Sequence, residues 1–160
     1  MITGEVIIGS NCVIKSNTTI GSEGFGFAYN NNKHIHFPHT GGIKIGKRVW
    51  IGSNVSIEKG SLENTIISDG VLIDDLVQIG HNVKIGNNCI LAGQVGIAGS
   101  SIIGNNVMIG GQAGISGHLN IGNNVKIGGG SGVVNDIPNN HQVMGYPAVS
   151  LKEFVKQRKK

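Results

Sequence analysis

The sequence predicts an all-β fold, a left-handed parallel β-helix with one projecting loop and a short C-terminal α-helix. Three observations carry this prediction: an aliphatic residue at every sixth position, an eighteen-residue recurrence of Asn and Gly, and an unusual composition. Glycine makes up 27 of 160 residues and aromatic residues only 4 %, against 39 % hydrophobic residues in all. Without a collagen triplet, this composition indicates a repeat fold with an aliphatic core.

The six-residue period runs through the middle of the chain. It passes through Ile67, Ile73, Ile79, Ile85, Leu91, Ile97, Ile103, Ile109, Ile115, Ile121, Ile127 and Val133. An α-helix cannot keep a period of six on one face, because its own period is 3.6 residues. A hexapeptide repeat is typical of a parallel β-helix, in which short strands turn a corner every six residues.

The number of strands in each coil follows from a second recurrence. Asn87-Asn88 returns as Asn105-Asn106 and again as Asn123-Asn124, each time after eighteen residues. Three strands of six residues therefore make one coil. Asn and Gly suit the corners because both tolerate the left-handed backbone conformation.

Two insertions interrupt the period, and insertions are where repeat proteins place functional loops. The longer one is predicted as a loop over residues 22–42, and a shorter one lies between Ile57 and Ile67. The long loop carries Phe25, Phe27 and Tyr29, which we predict to bind substrate because their rings suit an apolar ligand. The alternative is a lid that packs on its own β-helix.

The chain is predicted to consist of a β-helix over residues 1–137 and a C-terminal extension over residues 138–160. Within the extension, Ser150 and Glu153 have the spacing of a capping box, which predicts a short basic helix over residues 150–160. Its apolar stripe would comprise Leu151, Phe154 and Val155.

Charge and targeting signals exclude several classes of protein. The net charge of +4 comes from the C-terminal tail, so the folded body lacks the basic face of a nucleic-acid-binding protein. Two cysteines are too few for a disulfide framework. No apolar run reaches the ~18 residues of a membrane span and no signal peptide opens the chain, so a cytoplasmic protein is expected.

Two histidines are predicted to share one corner of the β-helix. His81 and His118 lie 37 residues apart, which is two coils plus one residue. They should be separated by about 10 Å along the axis, with Gly99 between them, given a ~4.8 Å spacing of strands. Such an edge could place a base and a backbone amide beside an acyl carbonyl. The alternative is a solvated corner histidine.

No metal site is predicted. Zinc needs all its ligands ~2 Å from one point, which histidines two coils apart in one subunit cannot offer. The loop segment HIHFPH contains metal-binding residue types but no recognised ligand pattern.

Several segments together resemble one enzyme family. They are EGFGFAYNNN, HTGGIKIGKRVWIGSNVSIEKGSLENTIISDGVLIDDLVQIGHNVKIG, GQVGIAGSSIIG and GGQAGISGHLNIG. Over roughly residues 5 to 149 the chain resembles the LpxD-type UDP-3-O-acylglucosamine N-acyltransferases of lipid A and lipopolysaccharide biosynthesis. The loop, the second insertion and the spacing from QIGHN to SGH make the resemblance more specific than hexapeptides alone.

The resemblance implies a site and a reaction. His81 would be the general base, the backbone amide of Gly99 would stabilise the oxyanion, and His118 would be a second, substrate-binding histidine. The acyl group would pass directly from a thioester of acyl carrier protein to the amine of a UDP-linked amino sugar. No tightly bound cofactor, metal or covalent enzyme intermediate is implied, and the family works as homotrimers with active sites between subunits.

Three departures from the family leave alternatives open. The chain begins inside the β-helix, without the family's separate N-terminal uridine-binding domain, and its C-terminal helical region is short. The usual Asp-Asn pair is Asp74-Asp75: Asp74 is predicted to orient His81 across a subunit interface, and Asp75 to bind substrate. The alternatives are an acetyl-CoA-dependent N-acetyltransferase acting on a nucleotide-linked amino sugar for surface polysaccharide, and a non-enzymatic trimeric scaffold.

Overall fold

The computed structural model describes residues 1–158, which form 22 short strands and one helix. In chain order the strands are β1 (Val6–Ile8), β2 (Val13–Ile14), β3 (Thr19–Ser22), β4 (Phe27–Asn30), β5 (Lys33–His36), β6 (Ile43–Ile45), β7 (Trp50–Ile51), β8 (Ser56–Glu58), β9 (Thr65–Ile67), β10 (Leu72–Ile73) and β11 (Gln78–Ile79). They continue with β12 (Lys84–Ile85), β13 (Ile90–Leu91), β14 (Gly96–Ile97), β15 (Ile102–Ile103), β16 (Met108–Ile109), β17 (Gly114–Ile115), β18 (Asn120–Ile121), β19 (Lys126–Ile127), β20 (Gly132–Val133), β21 (Gln142–Met144) and β22 (Val149–Ser150). The helix is α1 (Leu151–Arg158).

Three sheets run along the length of the molecule, one on each side of the coil. Sheet A stacks β3, β8, β11, β14, β17 and β20; sheet B stacks β1, β6, β9, β12, β15 and β18; sheet C stacks β2, β7, β10, β13, β16, β19, β21 and β22. From β9 to β20, neighbouring strands within each sheet pair in parallel with a shift of eighteen residues, as where Gln78 faces Gly96 and Gly96 faces Gly114. The parallel β-helix predicted from the hexapeptide period is confirmed.

The aliphatic residues of the period form the core. Ile79, Ile97 and Ile115 stack on one another in sheet A and are all buried, while their neighbours Gln78, Gly96 and Gly114 face outward. The small residues between the strands complete the interior, among them Val77, Val95 and Cys89. The core is one aliphatic column without aromatic rings.

The corners use the left-handed backbone conformation that Asn accommodates. Asn88, Asn106 and Asn124 have φ values of 56°, 57° and 56°. Their side chains also bond along the stack, since the Asn106 amide nitrogen donates to the Asn124 side-chain oxygen at 3.1 Å. At another corner His118 itself has a φ of 61°.

The long insertion contains two strands that the sequence analysis did not predict. β4 and β5 form an antiparallel hairpin, in which Phe27 faces His36 and Tyr29 faces His34. Asn31 and Asn32 connect them with φ values of 47° and 57°. Positive φ at both central residues is what a two-residue type I′ hairpin turn requires. The run of three asparagines was the available signal.

After residue 137 the chain adds two strands to sheet C. β21 pairs in parallel with β19, so that Val143 continues the column of Ile127, and β22 folds back antiparallel on β21. The predicted C-terminal helix is confirmed and carries the expected capping box. The Glu153 N–H donates to Ser150 Oγ at 3.2 Å, and the Ser150 N–H donates to Glu153 Oε2 at 3.3 Å.

The final two lysines of the predicted basic helix, Lys159 and Lys160, lie outside the described residues. Over residues 1–158, no helix is both long enough and apolar enough to cross a membrane. The division of the chain at residue 137 stays a prediction.

Candidate active site

His81, Gly99 and His118 occupy one corner in three successive coils. His81 follows β11, and its carbonyl oxygen accepts a hydrogen bond from the Ser100 N–H at 2.8 Å. The Gly99 carbonyl in turn accepts from the His118 N–H at 3.1 Å. The shared corner deduced from the 37-residue separation is therefore present in the structure.

The imidazole of His81 lies directly over Gly99. A Cβ atom at position 99 would stand 2.6 Å from Nε2 and 2.7 Å from Cε1 of His81, closer than atoms can approach. A side chain at this position would therefore force the His81 ring to move. Among the described residues the Gly99 N–H has no acceptor, which leaves it free to donate to a ligand oxygen.

Asn82 determines which nitrogen of His81 carries the proton. The Asn82 side-chain oxygen accepts from the Ser61 N–H at 3.0 Å, which fixes the orientation of the amide. The same oxygen lies 3.0 Å from His81 Nδ1. Because this oxygen can only accept, Nδ1 carries the hydrogen and Nε2 keeps its lone pair. Sequence analysis missed Asn82, although it stands next to the histidine in QIGHN.

A carboxylate from the second insertion holds the backbone of the same corner. Glu58 Oε2 accepts from the His81 N–H at 3.0 Å, and Glu58 Oε1 accepts from the Gln78 side chain at 3.2 Å. The short insertion thus contributes Glu58 and Ser61 to the support of His81. Sequence analysis placed this insertion but did not assign it a part in the site.

The long insertion closes over the corner from the other side. The ring of His39 lies edge-to-face against the ring of His81, with centroids 5.1 Å apart. Glu23 fixes this part of the loop: its carboxylate accepts from the His39 N–H at 3.0 Å and pairs with Lys59 at 2.6 Å. The hydrogen bond from Lys59, followed by that from the His39 backbone, holds the pKa of Glu23 below its usual value.

One group in the loop has residue types that could hold a metal. Glu23, His36 and His39 place ligand atoms within 4.8 Å of one another. The rings of His36 and His39 are stacked at an interplanar angle of 24°. Glu23 is already paired with Lys59. That the loop holds no metal stays a prediction.

The structure does not bring the two aspartates to His81. Asp74 and Asp75 follow β10 at a different corner, where Asp75 Oδ1 accepts from the Ser53 N–H at 2.7 Å and Asp74 Oδ1 accepts from the Asp75 N–H at 2.8 Å. Within one subunit Asn82, not Asp74, bonds the His81 ring. The roles of Asp74 across an interface and of Asp75 toward substrate stay predictions.

The loop aromatics are displayed on the hairpin and do not pack on the β-helix. Phe25 and Tyr29 are 85 % and 67 % exposed, and Phe27 is about half exposed. Phe25 and Phe27 lie edge-to-face at 5.1 Å and, with His34, line a cavity of about 520 Å³. The loop contacts the β-helix through His39, whereas these three rings stay exposed, and their contact with substrate stays a prediction.

Comparison with known proteins shows which sequences the chain is similar to. Residues 64–99 match the bacterial transferase hexapeptide (six repeats) family. The chain is 58 % identical over 153 residues to UDP-3-O-acylglucosamine N-acyltransferase 2 of Legionella pneumophila strain Philadelphia 1, a match that covers 96 % of this chain and 45 % of that protein. The chain is thus similar over most of its own length to curated UDP-3-O-acylglucosamine N-acyltransferases. The resemblance inferred from the sequence is confirmed.

A plant relative extends the comparison. The probable UDP-3-O-acylglucosamine N-acyltransferase 2, mitochondrial, of Arabidopsis thaliana is 45 % identical over 151 residues, covering 94 % of this chain and 50 % of that protein. The chain thus spans about half the length of the curated N-acyltransferases that it matches.

Solved acyltransferases share the fold. A UDP-N-acetylglucosamine acyltransferase structure gives a TM-score of 0.85 at 26 % identity, covering 99 % of this chain and 60 % of that one. The UDP-N-acetylglucosamine O-acyltransferase of Moraxella catarrhalis gives 0.81 at 28 % identity, covering 97 % and 60 %. Solved UDP-N-acetylglucosamine acyltransferases therefore share the fold of this chain.

Proposed function

We propose that this chain carries the acyl-transfer site of an N-acyltransferase that moves a 3-hydroxyacyl group from a thioester to the amine of a UDP-linked amino sugar. The observation that carries the proposal is the imidazole of His81, fixed in one tautomer by Asn82 and lying directly over Gly99. The names of the relatives supply the acceptor class.

The reaction follows from the geometry of this corner. Nε2 of His81 takes a proton from the sugar amine as the amine nitrogen attacks the thioester carbonyl carbon. The carbonyl oxygen becomes an oxyanion, which accepts a hydrogen bond from the Gly99 N–H. The tetrahedral intermediate then expels the thiolate, and the His81 imidazolium returns the proton to the sulfur.

The donor, assembly and location belong to the same proposal. The donor is the thioester of acyl carrier protein, for which the basic tail after Ser150 offers charge complementarity, and His118 binds substrate two coils from His81. The assembly is a homotrimer, supported by an apolar column on the outer face of sheet C. The enzyme acts in the bacterial cytoplasm, a location that stays a prediction from the sequence.

The experiment compares thioester consumption by the wild type, His81→Ala and His141→Ala on a UDP-linked 3-O-acylglucosamine acceptor. His141 lies at the far end of the chain and provides a matched histidine control. With 3-hydroxyacyl carrier protein as donor, turnover should fall by at least about a hundred-fold in His81→Ala and stay unchanged in the control.

Two other results would contradict the proposal. Turnover with acetyl-CoA alone would favour the polysaccharide N-acetyltransferase. Silence with both donors, in a protein that contains this chain together with any flanking domains, would favour a scaffold.

A further inference from the structure

A second imidazole is built into the floor of the loop, against the ring of His81. His39 is only 3 % exposed, and its ring meets that of His81 edge-to-face at a centroid distance of 5.1 Å. Gly24 closes over both residues. A Cβ atom at position 24 would lie 2.5 Å from His39 Nε2 and 2.9 Å from His81 Cβ. The loop backbone therefore clamps the two side chains together.

The burial of the His39 ring keeps it from direct contact with a ligand. His39 Nδ1 lies 2.9 Å from the Phe37 carbonyl oxygen, which only accepts, so Nδ1 carries the hydrogen. Nε2 is then an acceptor, and it is buried without a hydrogen-bond partner among the described residues. A buried acceptor of this kind lies out of reach of substrate, and it needs an explanation other than contact with the ligand.

Several interactions of the loop hold His39 in this place. Glu23 accepts from the His39 N–H at 3.0 Å and lies 3.5 Å from His39 Nδ1. Lys59, from the second insertion, pairs with Glu23 at 2.6 Å and ties the two insertions together. The ring of His36 stacks on the far side of His39, with centroids 5.8 Å apart.

We propose that His39 is a positioning residue, which holds the imidazole of His81 over Gly99 through ring-to-ring packing. Asn82 fixes the His81 ring at Nδ1, and His39 prevents it from swinging away about that hydrogen bond. The proposal rests on the proposed function in one respect, that a displaced His81 Nε2 transfers protons less well. The contact between the rings stands on its own.

The test separates ring packing from catalysis by two measurements on the same variants. The first is the nuclear Overhauser effect between His81 Cε1–H and the Gly99 α-protons, which reports the ring's position over Gly99. The second is the steady-state kinetics of acyl transfer. The variants are His39→Ala, which removes the ring, His39→Phe, which restores a planar ring without nitrogen, and His141→Ala as a control at a histidine without a ring contact.

In His39→Ala the Overhauser effect should be lost, and kcat should fall about ten-fold while the KM for the acyl donor changes less than about two-fold. In His39→Phe both the Overhauser effect and most of kcat should return. His141→Ala should match the wild type in both. If circular dichroism shows that His39→Ala does not fold, His39→Leu replaces it, because it fills the space without a ring.

The proposal is overturned if His39→Ala keeps the Overhauser effect and the wild-type kcat. It is also overturned if His39→Phe is as impaired as His39→Ala, because a polar atom of His39 would then be responsible. A wild-type enzyme that is inactive with every donor would sink the proposed function alone. The Overhauser comparison would still decide the role of His39.

Discussion

At the scale of single residues, the site depends on how closely a side chain approaches a backbone. Gly99, at the corner after β14, differs from Gly96 within that strand in what lies above it. A Cβ at Gly99 would meet the His81 ring, whereas a Cβ at Gly96 would meet nothing within 4 Å. Two glycines three residues apart in one coil therefore have different reasons to be glycine.

This contrast predicts the effect of adding one methyl group. Gly99→Ala should displace the His81 ring, because the ring tip is the only flexible part of the clash. Acyl transfer should fall by about a hundred-fold, since a displacement of about 1 Å costs that much. Gly96→Ala should keep wild-type kcat and the wild-type melting temperature. A Gly99→Ala enzyme with full kcat would show that the ring position over Gly99 is not needed.

The two cysteines give a prediction about chemical accessibility. Cys89 is fully buried, and burial raises the pKa of its thiol, whereas Cys12 is partly exposed. A raised pKa keeps the Cys89 thiol protonated at neutral pH, and only the thiolate reacts with disulfide reagents. When native Cys12→Ser is mixed with a disulfide reagent, an absorbance assay should therefore show no fast-reacting thiol. The same protein in denaturant should show one reacting thiol. A fast-reacting thiol in native Cys12→Ser would contradict the burial of Cys89.

At the scale of elements, the two insertions act as one support around the active corner. In the second insertion, Glu58 accepts a hydrogen bond from the His81 N–H, and the Ser61 N–H donates to the Asn82 side chain. The first insertion contacts His81 through the ring of His39, and the ion pair between Glu23 and Lys59 joins the two insertions. The β-helix supplies the rigid corner, and the insertions fix the side chain on it.

The junction between the insertions should respond to acid with a defined sign. The pKa of Glu23 is lowered from its usual 4.5, so its stabilising contribution is complete above that value and is lost as pH falls through the folded pKa. The amide resonance of His39, which donates to Glu23, should titrate with a midpoint below 4.5. Glu23→Gln should remove that inflection. A wild-type midpoint at or above 4.5 would contradict the pairing with Lys59.

At the scale of the whole molecule, one face of the β-helix carries an unpartnered apolar column. Trp50, Leu72, Ile90 and Met108 stack in register on the outside of sheet C, each between 39 % and 45 % exposed. The column ends at Lys126 in the next coil, whereas that of sheet B is interrupted repeatedly, by Lys44, Lys84 and Asn120. A continuous apolar column marks a surface that another molecule covers, which for the proposed homotrimer is a second copy of this chain.

The assembly can be tested by placing a charge on the outer face of sheet C and, as a control, on that of sheet B. The wild type should sediment as a trimer in analytical ultracentrifugation. Ile90→Glu should shift it to monomer, because burying an unpaired carboxylate in an apolar interface is costly. Ile102→Glu, at a position of similar exposure on sheet B, should remain trimeric. The assignment of the interface to sheet C fails if Ile102→Glu dissociates and Ile90→Glu does not.

Periodicity by itself determined the architecture of this protein. The six-residue spacing of Ile79, Ile85 and Leu91 along the chain fixes which side chains face inward, because strand direction and corner geometry repeat without change. The same arithmetic brought His81, Gly99 and His118 to one corner. Stacking in a solenoid depends on sequence separation alone, so counting residues was enough.

Only the tertiary structure decided how the site is held, because the insertions do not follow the period. Nothing in the spacing of His39, Glu58 or Ser61 indicates that two loops close on His81. The asparagine turn of the β4–β5 hairpin is a local feature that the hexapeptide period does not predict. The orientation of His81 likewise depends on Asn82, whose carbonyl direction is set by Ser61 from another coil. Contacts between segments without a shared repeat depend on three-dimensional packing, which residue counting does not contain.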